Sequence, residues 1–167
     1  GFNSIDIGGL THESLGVHYF LMFIGGGSAG TAGGVKVGTA MILAMLVIAE
    51  IRGRMDTEAF GRRISHSAQR QAITVLVLSS AVIVLGTVFI LHTTDIATDR
   101  VIFEVISAFA TVGLSTGITA DLPVSAQLML VLLMYVGRVG TITLAASLAL
   151  GEHRMPFRYP EEHPVVG

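Results

Sequence analysis

The sequence contains no cysteine and few charged residues, and each shortage excludes a class of protein. Without cysteine, the chain can form neither a disulfide framework nor a thiolate metal site. Charged residues make up 13% of the chain, about half the fraction usual in soluble domains, whereas 51% of residues are hydrophobic. The net charge of -2 is not typical of proteins that bind nucleic acid through a basic face. The composition therefore indicates an integral membrane protein that contacts the lipid bilayer and no nucleic acid.

Three apolar stretches are long enough to predict membrane topology, because a helix needs about 20 residues to cross the hydrocarbon core. Ala72 to Leu91 is uncharged and predicts a simple span. Leu122 to Leu150 is longer and contains a glycine-arginine motif in its middle. Leu15 to Ile51 would measure about 55 Å as one helix, nearly twice the thickness of the hydrocarbon core. The last stretch therefore cannot be one straight span.

The longest stretch is interrupted by six glycines within residues 25–34, and Lys36 follows them. Each glycine costs up to about 1 kcal/mol relative to alanine in a helix, so this segment favours open backbone. At membrane depth, open backbone is tolerated only where it is buried in protein or lines a water-filled cavity. We therefore expect one broken helix beside a pore. The alternative is that the small residues serve only close helix packing.

The stretch from Val101 to Val112 is too short to cross a membrane and predicts a re-entrant pore helix. We expect Asp99 to cap its N-terminus and Glu104 to act as a cap or an anchor rather than as an ion ligand. The helix leads into a Thr-Val-Gly-Leu turn at residues 111–114. An outer span, a pore helix, an extended turn and an inner span together form one pore unit. The predicted fold class is all-α and membrane-embedded.

Most basic residues flank the apolar stretches on one side. Seven of the ten lysines and arginines are in this group, namely Arg52, Arg54, Arg62, Arg63, Arg70, Arg154 and Arg158. Because cytoplasmic loops carry an excess of basic residues, the loop and the C-terminus are predicted to be cytoplasmic. The sequence thus predicts a multi-pass protein of the cell membrane. The basic loop reflects either this bias alone or a surface that meets a soluble partner.

The chain contains an internal repeat. An offset of 112 positions aligns Leu122 with Leu10, Leu133 with Leu21, Met134 with Met22 and Gly137 with Gly25. The first residues do not resemble a signal peptide, and Gly1 is expected to be a cut edge within a pore unit. We therefore divide the chain into the end of one pore unit (1–54), a cytoplasmic loop (55–71), a complete second unit (72–151) and a cytoplasmic tail (152–167). In this register the glycine-rich segment and Arg138 lie at one level.

Two enzyme-like patterns overlap the glycine-rich segment, and both are rejected. Residues 26–30 fit Gly-x-Ser-x-Gly, with His18 or His92 as a conceivable base, and residues 25–30 fit Gly-x-Gly-x-x-Gly. The first pattern needs a strand-to-helix turn and the second a parallel-sheet unit, neither of which apolar helices provide. The sequence does not predict an enzyme.

Together these motifs resemble the potassium-transporter superfamily of Ktr, Trk and HKT proteins, and most closely the Ktr membrane subunit. The motifs are the opening Gly-Phe-Asn-Ser, the turn at 111–114, the glycine-rich break ending at Lys36, the Gly-Arg-Val-Gly motif at 137–140 and the Arg-Tyr-Pro-Glu-Glu ending at 158–162. The resemblance covers essentially the whole chain. It implies the third repeat of the family from its filter onward, followed by the entire fourth repeat.

The resemblance implies that backbone carbonyls select the ion and that a gate lies below them. The implied filter residues are Gly1, Phe2, Asn3, Thr111, Val112, Gly113 and Leu114, with K⁺ bound by the carbonyls of Thr111, Val112 and Gly113. The implied gate residues are Gly25, Gly26, Gly27, Ser28, Gly30, Gly33, Gly34, Lys36 and Arg138. In the family, four such filter turns surround one axis, and this chain holds fewer than two.

The resemblance further implies a homodimer, a cytosolic nucleotide-binding ring of the KtrA or TrkA kind, and no cofactor in this chain. The transported ion is expected to be K⁺, with Na⁺ as the alternative. Other readings remain open at single residues: Lys36 can instead snorkel to the interface, and Arg138 can be a buried structural charge. The rival for the whole chain is a non-conducting structural or assembly protein whose glycines only pack helices.

Overall fold

The computed structural model describes residues 1–150 except 5, 28, 29, 31, 55 and 60, and at residues 12 and 141–150 it describes the backbone alone. Within these residues the chain forms five α-helices, two 3₁₀ turns and one hairpin. The helices are α1 (His12–Phe23), α2 (Val37–Ile51), α3 (His66–Thr93), α4 (Thr98–Phe109) and α5 (Val124–Leu150). The mostly helical class predicted from the sequence is confirmed.

The helix α3 is a long uninterrupted helix of about 42 Å. Among the described residues it is the one helix both long and apolar enough to cross a membrane, while α2 and residues 124–140 of α5 are apolar but shorter. It contains the whole run predicted to span and begins earlier, at His66. The earlier start arises because the side chain of Ser65 accepts a hydrogen bond from the N–H of Ala68 (3.3 Å) and caps the helix.

The helices α1 and α2 are separated by residues that, where described, form no α-helix. At roughly 18 and 23 Å, each helix is shorter than the hydrocarbon core, which is about 30 Å thick. Between them, Gly26 and Lys36 form an isolated parallel bridge, and the N–H of Val37 donates to the Gly26 carbonyl (2.9 Å). The N–H of Val35, a fully buried residue, donates to the carbonyl of Phe23 (3.1 Å). The two ends of the glycine-rich segment therefore lie side by side.

The helix α4 is short and lies between α1, α3 and α5. Most of its side chains are buried, including Phe103 and Glu104. It begins and ends somewhat earlier than predicted, and the expected cap at Asp99 is wrong. Because the helix begins at Thr98, its N-cap is Ala97, and Asp99 lies in the first turn, where its charge faces the positive end of the helix dipole.

The loop between α2 and α3 contains a departure from the all-helical expectation. Strand β1 (Glu58–Ala59) pairs antiparallel with β2 (Arg62–Arg63). Gly61 adopts a φ of +75° in the turn between them, which glycine permits. The guanidinium of Arg63 pairs with the carboxylate of Asp56 at 2.9 Å. This hairpin lies between α2 and α3, outside the apolar stretches, so the helices predicted there are not affected by it.

The elements repeat at the offset found in the sequence. A 3₁₀ turn at Ile7–Gly9 precedes α1, and a second 3₁₀ turn at Ile118–Asp121 precedes α5. Shifting the bounds of α1 by 112 positions gives 124–135, the first part of α5. The predicted tail at 152–167, with Arg154 and Arg158, lies outside the described residues.

Candidate functional site

The turn that follows α4 has a backbone conformation that L-residues rarely adopt. Thr111 has a φ of +53° and Gly113 a φ of +85°. The N–H of Val112 donates to the carbonyl of Ser107 (2.9 Å), and the hydroxyl of Ser107 donates to the carbonyl of Leu114. Ser107 of α4 is therefore bonded to two residues of the predicted filter turn, Val112 and Leu114.

The N-terminal segment lies against this turn at one point. A Cβ placed on Gly1 would lie 2.8 Å from the carbonyl oxygen of Val112 and 3.1 Å from that of Gly113, so these backbones are in close contact. The side chain of Phe2 is fully exposed, and Asn3 is also exposed. The structure thus brings Gly1 to the turn at 111–114 and leaves the side chain of Phe2 in the open.

Gly33 joins the glycine-rich segment to the predicted filter turn. Its N–H donates to Thr111 Oγ1 at 2.8 Å. A Cβ on Gly33 would lie 2.7 Å from the carbonyl oxygen of Phe109 and 3.1 Å from that of Gly137, and a Cβ on Gly137 would overlap the Phe109 carbonyl. Three segments therefore meet at the C-terminal end of α4, where there is space only for glycine.

Lys36 closes the glycine-rich segment on itself. Its Nζ donates to the carbonyl oxygens of Gly30 (3.0 Å) and Ala32. Gly34, with a φ of +72°, is buried and reverses the chain just before it. The side chain of Lys36 is half-buried, so its ammonium group is held by carbonyls of the segment it follows.

A cavity of 410 Å³ lies between the turn and the glycine-rich segment. Its walls include the predicted filter residues Gly1, Thr111, Val112 and Leu114 and the predicted gate residues Gly25, Gly26 and Gly33. Five further wall residues were not in the predicted site, among them His18 and Met22 of α1. Their spacing of four residues places these two on one face of α1, but the sequence does not show which face borders the cavity. Nδ1 of His18 lies 2.7 Å from the carbonyl of Ser14.

Three further predicted gate residues that the structure describes do not line this cavity, namely Gly27, Gly30 and Arg138. Gly27 and Gly30 are exposed and close a turn through the bond from Gly30 N–H to Gly27 O (2.9 Å), and Ser28 lies outside the described residues. The side chain of Arg138 is exposed on α5, directly after buried Gly137. Because Gly137 touches Gly33, Arg138 lies at the level of the segment.

Glu104 joins α4 to the residues after the turn. Its carboxylate accepts hydrogen bonds at Oε1 from Ser115 Oγ (2.6 Å), Thr116 N (2.9 Å) and Thr116 Oγ1 (3.2 Å), and at Oε2 from Thr119 Oγ1 (3.1 Å). The geometry is that of an anchor, as the sequence indicated, but its partners were not predicted.

Apolar helices around a cavity that is lined in part by glycine backbone are the arrangement expected of a membrane transport protein. The sequence model of the TrkH family, described as cation transport protein, matches residues 1–155. The chain belongs to this family of cation transporters, so the predicted resemblance to Ktr and Trk proteins is confirmed. The family is one of membrane transporters and not of enzymes.

Several bacterial uptake proteins are similar to the chain over its whole length. It is 38% identical to the potassium/sodium uptake protein NtpJ of Enterococcus hirae, covering 100% of this chain and 38% of that protein. It is 37% identical to the Ktr system potassium uptake protein B of Bacillus subtilis, covering 100% and 37%, and 35% identical to the protein of the same name from Vibrio alginolyticus, covering 100% and 36%. The chain therefore spans somewhat more than a third of the length of these relatives.

Proposed function

We propose that this chain is part of a membrane subunit that takes up K⁺ through a carbonyl-lined filter and past an intramembrane gate. The filter is formed by residues 111–114 and 1–3, and the gate by residues 25–36 with Arg138. Relatives named for potassium uptake support K⁺, and one named for both ions makes Na⁺ the second candidate. Membership in a family of cation transporters favours transport over a purely structural role.

The observation that carries the proposal is the hydrogen bond from Gly33 to Thr111 beside the shared cavity. Carbonyl oxygens of a Thr-Val-Gly turn replace the hydration shell of a potassium ion. A cavity of 410 Å³ has room for on the order of ten water molecules, each of which occupies about 30 Å³ in the liquid. An ion leaving the turn would regain water there before it meets the glycine-rich segment.

In the proposed membrane arrangement, α3 and α5 span the bilayer and α4 enters it only partway. The helices α1 and α2 are the two halves of one broken helix, because each is too short to cross alone. Backbone between them lines the cavity, which meets the condition for non-helical backbone at membrane depth. The basic loop between α2 and α3 and the C-terminus then face the cytoplasm of a cell-membrane protein.

We propose that the full-length protein works with other components. Two relatives are named as parts of a Ktr system. By that likeness, the full-length protein forms a homodimer and docks a cytosolic nucleotide-binding ring of the KtrA or TrkA kind, while this chain itself needs no cofactor. The ring and the basic loop between α2 and α3 would lie on the same side of the membrane.

The filter is tested by changing Gly113 to alanine in the full-length protein. A φ of +85° costs an L-residue roughly 1–2 kcal/mol, so the backbone is expected to relax and displace the carbonyls of the turn. Since about 1.4 kcal/mol corresponds to a factor of ten, we expect the ratio of K⁺ to Na⁺ uptake to fall about tenfold. Uptake of both ions into proteoliposomes is the measurement.

The matched control is Gly61→Ala. Gly61 has a similar φ, +75°, but lies in the hairpin turn between β1 and β2, and a Cβ there would meet nothing within 4 Å. This variant suffers the same local strain and should keep the wild-type ratio. An unchanged ratio in Gly113→Ala would contradict the filter assignment, and wild-type protein that takes up neither ion would contradict the transport function.

A further inference from the structure

We propose that Glu104 is a positioning residue for ion selectivity, which fixes the filter turn by clamping the residues after it to α4. The inference rests on the proposed function. The carboxylate is 5% exposed, and its four hydrogen bonds come from Ser115, Thr116 and Thr119. In each of these four bonds a hydroxyl or a backbone N–H donates to a carboxylate oxygen of Glu104.

The clamp has a counterpart one helical turn further along α4. Ser107 accepts from Val112 N–H and donates to the Leu114 carbonyl, while Glu104 holds the segment from Ser115 onward. Residues three apart on a helix lie on one face, so both anchors act from the same side of α4. Together they attach the turn within its length and immediately after it.

Packing holds the turn on one side only. Val112 and Leu114 pack against the buried cluster that contains Phe103, whereas a cavity of 280 Å³ is lined among others by Glu104, Ser107 and Gly113. A segment beside open space loses the dispersion contacts that fix a packed backbone. On the side of this cavity, the positions of the turn's carbonyls therefore depend on the two hydrogen-bonded anchors, in addition to the bond that Gly33 makes with Thr111.

Selectivity follows from these positions, because the carbonyl oxygens must match the ion whose hydration shell they replace. Without Glu104, the segment from Ser115 can relax toward the cavity, and the turn can adapt to a different cation. A burial penalty on the carboxylate is offset by its hydrogen bonds, whereas loss of the acceptor leaves the buried N–H of Thr116 without its bond to Glu104.

The test uses full-length protein in proteoliposomes and measures the ratio of K⁺ to Na⁺ uptake. Glu104→Ala should lower the ratio about tenfold, as expected for an effect near 1.4 kcal/mol. Glu104→Gln keeps an acceptor at Oε1 and can donate to Thr119 Oγ1, so it should keep the ratio within about threefold of wild type, less than half of that effect on a logarithmic scale.

A second variant keeps the test decisive if Glu104→Ala does not fold. The double substitution Ser115→Ala with Thr119→Ala removes two donors at exposed or half-buried positions and should lower the ratio in the same direction. Thr94→Ala is the control, because its half-buried hydroxyl bonds to Ile90 O (2.8 Å) at the end of α3, away from the turn. It should leave the ratio unchanged.

Three results would overturn the inference. They are an unchanged ratio in the double variant, a parallel loss of both uptakes at constant ratio, and a ratio in Glu104→Gln as low as in Glu104→Ala. The last would assign the effect to charge and not to positioning. If wild-type protein takes up neither ion, the proposed function fails and this inference fails with it. If wild-type protein is selective and the Glu104 variants have the same ratio of K⁺ to Na⁺ uptake, this inference fails and the proposed function stands.

Discussion

Single glycines set how closely the three segments meet at the end of α4. Gly137 lies so near the carbonyl of Phe109 that a methyl group has no space, and Gly33 is almost as close. The obstacle in both cases is backbone, which cannot rotate out of the way as a flexible side chain would. Glycine is therefore required at these positions for contact and not only for flexibility.

Replacing Gly137 with alanine should destabilise the full-length protein by about 1–3 kcal/mol, the usual cost of overpacking. The new methyl group forces α5 away from α4 and also disturbs Gly33. Thermal unfolding in detergent is the measurement, and a lower Tm is expected.

Gly140 provides the comparison within the same helix. A Cβ at Gly140 would meet nothing within 4 Å, so Gly140→Ala should leave Tm unchanged or raise it, because alanine favours helix by up to about 1 kcal/mol. Equal losses of Tm in both variants would show that helix α5 responds to any substitution and that close packing at Gly137 is not the cause.

Among the elements, the segment between α1 and α2 is held, where the structure describes it, by single bonds rather than by a helix or a sheet. Val35 bonds to Phe23, Gly33 bonds to Thr111, and Lys36 bonds to two carbonyls of the segment itself. Residues 33–35 are buried, whereas Gly27, Gly30 and Ala32 are exposed. The exposed part can change shape at a smaller energetic cost, because fewer buried contacts are lost when it opens. This difference supports the proposed gate.

Replacing Lys36 with methionine should open this gate. Methionine keeps an apolar stem of similar length and removes both hydrogen bonds to Gly30 and Ala32. Bonds from a charged donor contribute about 1.5–3 kcal/mol each when buried, and half-burial lowers this, so a bias of about tenfold toward the open state is expected. Basal K⁺ uptake by the full-length protein should rise accordingly.

Lys36→Arg retains a cationic donor near the same carbonyls and should show uptake close to wild type. If Lys36→Met also behaves as wild type while the protein remains folded, Lys36 does not restrain the gate. A fall in uptake without a change in Tm would contradict the proposed direction, since it would mean that the bonds support the conducting form.

Local composition was sufficient to predict most elements. The apolar run of α3, the glycine-rich break after α1 and the short helix α4 each follow from neighbouring residues. The cap at Asp99 was predicted wrongly, because helix ends depend on the start residue that the backbone selects. The hairpin at β1 and β2 was missed because its two-residue strands give no periodic signal.

The candidate site was predictable in its residue types and not in its contacts. The positive φ at Gly113 agrees with the glycine at the turn, whereas the bond from Gly33 to Thr111 joins residues 78 positions apart and depends on the packing of three segments. The same holds for Met22, which reaches the cavity only because of how α1 lies beside α4. Sequence patterns report local preferences, and these contacts are not local.

In the molecule as a whole, the two predicted pore units meet through α1 and α4. The hydroxyl of Tyr19 donates to the carbonyl of Asp99 at 2.8 Å, and its ring meets that of Phe103 edge-on with centroids 6.0 Å apart. Leu15 and Met22 of α1 belong to the same buried cluster as Phe103. The helix α1 of the predicted first unit thus covers one side of α4.

Substitution of Tyr19 tests whether this joint holds the units together. Tyr19→Phe removes one hydrogen bond and should lower the stability of the full-length protein by about 1 kcal/mol, while Tyr19→Ala also removes the ring and should cost about 2–4 kcal/mol. Tyr135→Phe is the control, because that side chain is 65% exposed. Removing its hydroxyl should change the stability by no more than about 0.5 kcal/mol. Thermal unfolding in detergent measures all three.

The same variants separate stability from selectivity. Tyr19 bonds at the N-terminal end of α4, whereas the anchors of the proposed filter turn, Glu104 and Ser107, lie further along the helix. Tyr19→Phe should therefore lower Tm and leave the ratio of K⁺ to Na⁺ uptake unchanged. If the ratio fell together with Tm, the position of the whole pore helix, and not the anchors beside the turn, would control which ion passes.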